Sequence, residues 1–173
     1  RQLAKQYYKT IYDAIRRHDK HHLILGDRYE GNAPISMHVI NEALPYVDIL
    51  SFQDFVNPLE TLEYYFKTTE KPVLLADSAK IKWDTKPGEI SENDGTWYAE
   101  TLNKVFKSPG CVGFHLCGAF HLNRARRYGL LDERQNVNKD NLDTITMANK
   151  KITNAIHRIC LLYTSDAADD LLC

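Results

Sequence analysis

The feature of this sequence that most limits its fold is a regular alternation of short apolar runs with longer amphipathic stretches. Four runs have the length and the apolar content of buried strands, and they cover residues 22–27, 47–52, 71–77 and 111–117. The stretches between them carry apolar residues at helical spacing, and one more such stretch precedes the first run. The pattern therefore predicts a helix followed by four strand–helix units.

Capping residues and prolines locate the ends of the helices. Ser36 is placed to cap a short helix that ends at Pro45, and Pro58 is placed in the first turn of the next one. The remaining helices are predicted near residues 1–18, 96–106 and 141–159, with long polar loops at 78–95 and 118–139.

Strands that alternate with crossover helices predict a parallel sheet and an α/β fold. Two architectures fit: an open, doubly wound sheet of four strands, or half of an eight-stranded barrel. No glycine-rich phosphate-binding motif follows any of the four runs, which disfavours a nucleotide-binding open sheet. A complete barrel needs about 250 residues, so a chain of this length holds only part of one.

Composition excludes several classes of partner. The 173 residues contain 22 basic and 23 acidic side chains, for a formal net charge of -1. This balance gives no bulk attraction to nucleic acid or to an anionic membrane, and no apolar run approaches the roughly 20 residues that cross a bilayer. We expect neither partner, whereas the oligomeric state and the localisation are not determined by the sequence.

The two ends of the sequence look like cuts. Residues 1–18 enter helical periodicity at once without an initiator Met, so any targeting signal would lie upstream. Residues 160–173 lose that periodicity and resemble the translation of a transposase-type sequencing adapter. We therefore expect one partial domain over residues 1–159 and a non-native tail over 160–173.

Polar residues close the four predicted strands, where parallel α/β proteins place their active sites. Strand alternation predicts that four of them converge on one mouth: Arg28, Gln53, Asp77 and His115. The same alternation puts Val73 and Leu75 on the face of Asp77, and Cys111 on the face of His115. Asp77 is the strongest candidate, because a carboxylate that ends a buried run either pairs with something or performs chemistry.

Cys111, His115 and Cys117 raise the alternative of a metal site. Side chains two residues apart on a strand are about 6.6 Å apart, which is too far for comfortable chelation of one zinc ion. We expect no metal and no cofactor. A Cys/His nucleophilic pair is also disfavoured, because no third group orients it.

The strand motifs resemble a known family. KPVLLAD resembles the seventh strand of clan A glycoside hydrolases, where Lys-Pro and an apolar run lead to a nucleophilic Glu. HLILGDRY, VDILSF and SPGCVGFHLCGAF, followed by YGLLDE, resemble the fifth, sixth and eighth strands of that barrel. The likeness is greatest to the β-agarase and β-galactosidase-like branch, and it covers nearly all of residues 1–159.

This resemblance implies the C-terminal half of a TIM (β/α)8 barrel from a retaining hydrolase that acts on a polysaccharide or oligosaccharide. Asp77 falls on the nucleophile position, where the family has Glu. It is therefore either a shifted nucleophile, a substrate-binding acid or the mark of an inactive relative. The general acid of the family would precede Arg1, and Glu30, Glu42 and Asp54 do not match its position. We expect the chain by itself to be inactive.

The resemblance also implies substrate contacts. Arg28 and Gln53 would hold sugar hydroxyls or orient the nucleophile, and His115 would line the subsite. Asp27 would also bind substrate, and Trp83 would either stack on a sugar ring or anchor its loop by packing. The basic loop at residues 123–129 is either a solvated loop or a contact for an anionic glycan. Two competing hypotheses stay open: a non-catalytic carbohydrate-binding relative of the same fold, and a different parallel α/β enzyme.

Overall fold

The computed structural model describes residues 1–31, 33, 35–80, 94–119, 130–131 and 134–166, with side chains up to residue 160. Trp83 and the basic loop 123–129 lie outside these residues. The elements, in chain order, are helix α1 (Gln2–Arg16), strand β1 (Arg28–Glu30), helix α2 (Met37–Ala43) with a 3-10 turn (Leu44–Tyr46), strand β2 (Leu50–Gln53), helix α3 (Pro58–Thr69), strand β3 (Val73–Ser78), helix α4 (Gly95–Lys107), strand β4 (Cys111–Leu116) and helix α5 (Lys139–Asp166).

The helix starts follow the signals in the sequence. The Ser36 side chain accepts a hydrogen bond from the backbone N–H of His38, and Pro58 lies in the first turn of α3, as predicted. At α4 the Asp94 side chain caps the helix by accepting from the backbone N–H of Trp97 at 3.0 Å. No helix among the described residues has both the length and the apolar character needed to span a membrane.

The four strands are all parallel and lie in the order β1-β2-β3-β4. Crossovers between parallel strands are right-handed almost without exception, so a sheet that adds every new strand on the same side keeps all its helices on one face. A doubly wound sheet reverses direction at a switch point instead. The observed order therefore excludes the doubly wound alternative and confirms the predicted α/β fold of a partial barrel.

The hydrophobic core lies between the helices and one face of this sheet. Tyr29, Leu50, Phe52, Val73 and Leu75 project from the strands and are at most 5% exposed. They pack with residues from the first four helices, namely Tyr8, Ile40, Ala43, Leu62 and Val105. Because side chains alternate along a strand, the residues between them face the opposite side, which we call the inner face.

The first predicted strand is displaced. Residues 22–27 form no strand, and β1 covers Arg28–Glu30 instead. Gly26 takes a positive φ of 68°, which breaks the extended backbone. Ahead of that break, the Ile24 carbonyl accepts from the backbone N–H of Asp48 at 2.7 Å, so the segment touches the chain before β2 without forming a ladder.

The last helix is longer than predicted. Residues 141–159 were expected to contain it, but α5 begins at Lys139 and continues to Asp166. No glycine or proline follows Ile159 in this stretch, so nothing in the local sequence stops the helix where its apolar periodicity ends.

Two compensating irregularities interrupt the pairing of β3 with β4. Val73 pairs with Cys111 but Leu74 pairs with Gly113, so Val112 is an extra residue in β4. Further along, Leu75 pairs with Phe114 and Ser78 with Leu116, so Ala76 and Asp77 oppose His115 alone. Each is a β-bulge, and the second restores the register that the first changes.

These bulges make part of the predicted face assignment wrong. Val73 and Leu75 belong to the helix-covered core, and Cys111 packs against that core beside them rather than on the face of His115. Phe114 faces the helices as predicted, where its ring lies 5.1 Å from that of Tyr98. Simple alternation fails because each extra residue turns the following side chains to the other face.

Candidate functional site

The inner face carries the candidate site. One row of paired residues crosses it from strand to strand: Arg28, Ser51, Leu74 and Gly113. Towards the carboxyl ends of the strands this row is followed by Glu30, Gln53, Asp77 and His115. The sheet therefore brings together, at one edge, the four residues that the sequence predicted to converge, together with Glu30.

The central contact at this edge is an ion pair between Arg28 and Asp77. The Arg28 Nη1 donates to Asp77 Oδ2, and the contact bridges from β1 to β3 over the intervening strand β2. The side chain of Asp77 is 16% exposed and that of Arg28 is 51% exposed. The carboxylate is thus largely shielded, while its partner reaches it from the open side.

The backbone of Asp77 explains how its side chain reaches the inner face. Alternation from Leu75 would send Asp77 towards the helices, but the bulge adds a residue at this point and Asp77 has a φ of 64°. Few residues other than glycine take this left-handed conformation, and Asp is among those that tolerate it. Such conformations persist only where the surroundings hold them, and they cluster at functional sites.

The residues after Asp77 hold the bulge in place. Ser78 is fully buried, and its hydroxyl donates to the backbone carbonyl of Asp54 at 2.7 Å. Asp54 is itself buried and accepts hydrogen bonds from the backbone N–H groups of Val56 and Asn57 and from the Thr61 hydroxyl. These bonds connect the end of β3 to the start of α3, which fixes the strand directly after the bulge.

Gln53 and His115 lie beside the ion pair. Gln53 is the last residue of β2, is half-buried, and pairs in register with Glu30; its backbone carbonyl accepts from the Gly31 N–H at 2.6 Å. His115 is exposed and stands opposite the bulge on β4. Among the described residues, only Arg28 and Asp77 of the predicted four contact each other through their side chains.

Glu30 is the inner-face carboxylate that sequence reasoning did not select. It follows Arg28 by two residues in β1, so alternation places it on the same face. The misplaced boundary of the first strand hid this relation, because a strand that ends at residue 27 leaves Glu30 in a loop. The alternation of polar Arg28, apolar Tyr29 and polar Glu30 is the signal that could have revealed Glu30 as an inner-face residue.

Asp27 lies on the other side of the sheet. Its two carboxylate oxygens accept from the hydroxyls of Tyr7 at 3.0 Å and Tyr8 at 2.8 Å, both on α1. The Tyr8 hydroxyl also lies 2.9 Å from that of Tyr29 in the core. Burial, followed by these hydrogen bonds, raises the pKa of Tyr8 far above its usual value. Asp27 therefore anchors α1 to the chain that enters β1.

The cysteine of the fourth strand does not belong to the site. The Cys111 Sγ lies 3.6 Å from the Gly113 carbonyl, and burial raises the pKa of the thiol. A buried thiol with a raised pKa is a poor nucleophile and a poor metal ligand. Within the described part of the chain, no three His, Cys, Asp or Glu residues are grouped so that they could hold a metal ion.

The fold and the inner-face site define a parallel α/β protein with the fold of a partial TIM barrel. No protein-family model matches the chain, and no curated protein matches it. Solved structures do match the chain. A structure described as that of an exo-beta-agarase is similar over 87% of this chain, with 19% identity and a TM-score of 0.68.

Two further structures give the same result. An agarase, AgWH50C, matches 86% of the chain at 15% identity and a TM-score of 0.69, and PfGH50B matches 88% at 14% identity and 0.68. The chain spans 22–24% of the length of these three structures. The comparisons establish a shared fold.

Proposed function

We propose that this chain forms part of a retaining glycoside hydrolase that acts on a polysaccharide or oligosaccharide, and that Asp77 is its nucleophile. The fold shared with structures titled as agarases supports the enzyme class. The motif resemblance of the four strands supports the same class from the sequence. The observation that carries the proposal is the shielded Asp77 carboxylate, aimed onto the inner face by a bulge and paired with Arg28.

Arg28 suits the role of an orienting group. A guanidinium only donates hydrogen bonds, so it engages the unprotonated oxygens of Asp77 and not a carboxylic acid proton. In a retaining hydrolase the nucleophile attacks the anomeric carbon as a carboxylate, while the second carboxyl group carries the proton for the leaving oxygen. The pairing therefore favours the nucleophile role for Asp77 over the acid role.

The bulge bears on the difference in side-chain length between Asp and Glu. An Asp side chain is one methylene shorter than the Glu that the family pattern has at this position. A misplacement of about 1 Å can reduce a rate on the order of a hundredfold. The extra residue in β3 takes Asp77 out of the regular ladder, and its side chain reaches Arg28 on the inner face. Among the three interpretations of Asp77, this geometry favours a shifted nucleophile.

The proposed substrate contacts of the other residues are assigned from their positions on the inner face. We assign Arg28, Gln53 and His115 to sugar hydroxyls or to the orientation of Asp77, since they share the edge of the inner face with it. Trp83 stays a predicted stacking residue outside the described part of the chain. The general acid is assigned to a strand outside this chain, so the chain alone is expected to bind saccharide without hydrolysing it.

A mechanism-based label tests the nucleophile directly. In 2-deoxy-2-fluoro-β-galactosyl fluoride the fluoride at C1 leaves without protonation by a general acid, while an Asp77 oxygen forms the new bond to C1. The fluorine at C2 then slows hydrolysis of the glycosyl ester. We expect intact mass spectrometry to show one glycosyl adduct, and peptide mapping to locate it at Asp77.

Two variants make the label interpretable. Asp77→Asn should abolish the adduct, and Glu63→Gln, which changes an exposed carboxylate on α3, should leave it unchanged. An adduct on another carboxylate would contradict the assignment of Asp77. A chain that binds galacto-oligosaccharide in an NMR titration, yet forms no adduct, would support the second candidate function.

That second candidate is a carbohydrate-binding relative without catalysis. The specific observation in its favour is that Asp77 already has a charged partner, so the Arg28–Asp77 pair can serve as a fixed hydrogen-bonding platform for sugar hydroxyls. In this case Arg28→Met and Asp77→Asn should weaken saccharide binding by similar factors.

A further inference from the structure

Asp54 is a buried carboxylate at the carboxyl edge of the sheet. It follows β2 directly and is 2% exposed. Its Oδ1 accepts from the backbone N–H groups of Val56 at 2.7 Å and Asn57 at 3.0 Å, and its Oδ2 accepts from the Thr61 hydroxyl at 2.5 Å. A buried carboxylate is tolerated where hydrogen bonds satisfy it. These three bonds also fix the position of the Asp54 backbone.

The Asp54 backbone holds the strand end that carries the proposed nucleophile. Its carbonyl accepts at 2.7 Å from the hydroxyl of Ser78, the residue after Asp77. Ser78 is also tied to the end of β4, since its own carbonyl accepts from the backbone N–H of Cys117 at 2.9 Å. Because Ser78 is fully buried, water cannot replace the bond that its hydroxyl makes. A shift of Asp54 would therefore move Ser78, and with it the left-handed backbone of Asp77.

The Asp54 carboxylate also lies against the strand end on the other side of β2. Gly31 follows β1 directly, and its N–H donates to the Gln53 carbonyl at 2.6 Å. A Cβ at Gly31 would lie 2.6 Å from Asp54 Oδ2 and 2.9 Å from Asp54 Cβ, so this close approach needs a glycine. Asp54 therefore limits the position of the end of β1, the strand that carries Arg28.

We infer that Asp54 is a positioning residue that sets the geometry of the Arg28–Asp77 pair from both sides. The pair joins β1 to β3, and Asp54 follows the strand between them. It acts on Asp77 through Ser78 and on Arg28 through Gly31. The catalytic consequence rests on the proposed function, since a displacement of about 1 Å between Asp77 and the sugar carbon would slow the attack on the order of a hundredfold. The geometric role does not rest on it.

NMR of the Arg28 guanidinium tests the geometry without any substrate. An arginine held in an ion pair rotates slowly about its Nε–Cζ bond, so its Nη protons give separate resonances at low temperature. We expect separate resonances in the wild-type chain and one averaged signal in Asp77→Ala, which removes the partner. Asp54→Ala should average them as well. Ser78→Ala and Gly31→Ala, which each disturb one side, should broaden them.

Two further variants separate positioning from packing. Asp54→Asn retains an amide oxygen that can accept from the Val56 and Asn57 N–H groups and an amide N–H that can donate to the Thr61 hydroxyl, so it should keep the separate resonances. Ile145→Ala removes a buried side chain from α5, which packs against α4, and should lower stability without changing the resonances. Urea denaturation measures the stability of each variant and shows that it is folded.

Labelling with 2-deoxy-2-fluoro-β-galactosyl fluoride tests the catalytic consequence. Ser78→Ala acts on the Asp77 side alone, so it should lower the limiting rate of adduct formation by about tenfold to a hundredfold. The reagent concentration that gives half of the limiting rate should stay within about twofold, because the sugar contacts remain and only the attack is misaligned. Asp54→Ala should lower the limiting rate at least as much, and Ile145→Ala should leave it unchanged.

The outcomes distinguish this inference from the proposed function. A folded Asp54→Ala that keeps the separate Arg28 resonances would overturn the inference, as would their loss in Ile145→Ala or their absence in the wild type. If Asp54→Ala does not fold, Ser78→Ala decides in the same way, and an unchanged labelling rate in it would overturn the catalytic role. A wild type that forms no adduct, but whose Arg28 resonances depend on Asp54, would contradict the proposed nucleophile and support the positioning role.

Discussion

Asp77 shows how a single residue's backbone can matter as much as its side chain. Its φ of 64° places it in a region where a Cβ costs about 1–2 kcal/mol, and Asp offsets part of that cost through its polar side chain. The ion pair to half-exposed Arg28 adds little stability, since such pairs contribute about 0–1 kcal/mol. Asp at this position therefore costs stability relative to glycine, and its presence favours a functional reason.

Substitutions at Asp77 should follow backbone preference. We expect Asp77→Gly to have a free energy of unfolding about 1–2 kcal/mol above that of Asp77→Ala, because both lose the ion pair and only Ala retains the strained Cβ. Urea denaturation measures the difference. The same pair of changes at Asp143, inside α5, should give the opposite order by about 1 kcal/mol.

The four strand-end residues of the candidate site and their common face could be predicted from the sequence, but the faces of their neighbours could not. Arg28, Gln53, Asp77 and His115 were found because polar residues at strand ends are visible in a single chain. The faces of Val73, Leu75 and Cys111 were predicted wrongly, because the bulges at Val112 and Asp77 depend on pairing between strands. Nothing in the local pattern of either strand marks them.

At the scale of the elements, Asp94 connects two parts of the fold. It caps α4, and it also accepts from Lys80 Nζ at 2.5 Å, two residues after β3. Lys80 and the Trp97 N–H, in that order, hold the pKa of the Asp94 carboxyl below its usual range. The cap therefore fixes the start of α4 to the end of β3, close to the bulge that carries Asp77.

The Asp94 cap should make stability depend on acid pH. A carboxyl group whose pKa is lower in the folded state binds more protons when unfolded, so its stabilisation is complete above the unfolded pKa and is lost as pH falls through the folded one. Asp94→Ala should cost about 1 kcal/mol near neutral pH and progressively less below about pH 4. Asp94→Ser should keep the cap and cost less than Asp94→Ala at neutral pH, but its cost should change with pH by the same amount, because both variants lose the same titrating group. Denaturation at several pH values measures both.

The turn before β4 depends on a glycine, Gly110, at a position that has no room for a side chain. Gly110 has a φ of 73°, and a Cβ there would lie 2.1–2.4 Å from ring atoms of Phe66 on α3. We expect Gly110→Ala to lower the free energy of unfolding by about 2–4 kcal/mol, from overpacking and from backbone strain together. Phe66→Ala in the same chain should recover part of that loss as a favourable coupling.

A matched glycine separates these effects. At Gly113 the corresponding Cβ would meet only the Cδ1 of Leu74, at 3.0 Å, the end of a flexible side chain, and the backbone φ is not positive. Gly113→Ala should therefore cost less than Gly110→Ala. Equal losses at the two positions would show that the contact with Phe66 does not decide the outcome.

Element order was the most predictable level of the structure. The helix starts at Ser36 and Pro58 follow from a capping side chain and a first-turn proline, and the four apolar runs identify the sheet. The displaced β1 shows the limit, since the run at 22–27 has strand composition but Gly26 and the bonds of Asp27 to α1 prevent regular pairing. Tertiary contacts decided that boundary.

On the scale of the whole molecule, the strand order determines the architecture. Sequence reasoning left an open sheet and a partial barrel as alternatives, because both have the same order of elements along the chain. Only the spatial order β1-β2-β3-β4 separates them, and it does so through the handedness of the crossovers. A sheet with helices on one face leaves a second face, and here that face carries the Arg28–Asp77 pair.

The paired bulges in β3 and β4 have a consequence for how this chain can change over evolutionary time. Deleting the extra residue of β3 alone would leave the register change at Val112 uncompensated, and deleting Val112 alone would leave the change at Asp77 uncompensated. A regular ladder between β3 and β4 is therefore reached only by changing both strands together, because either deletion alone disturbs the pairing.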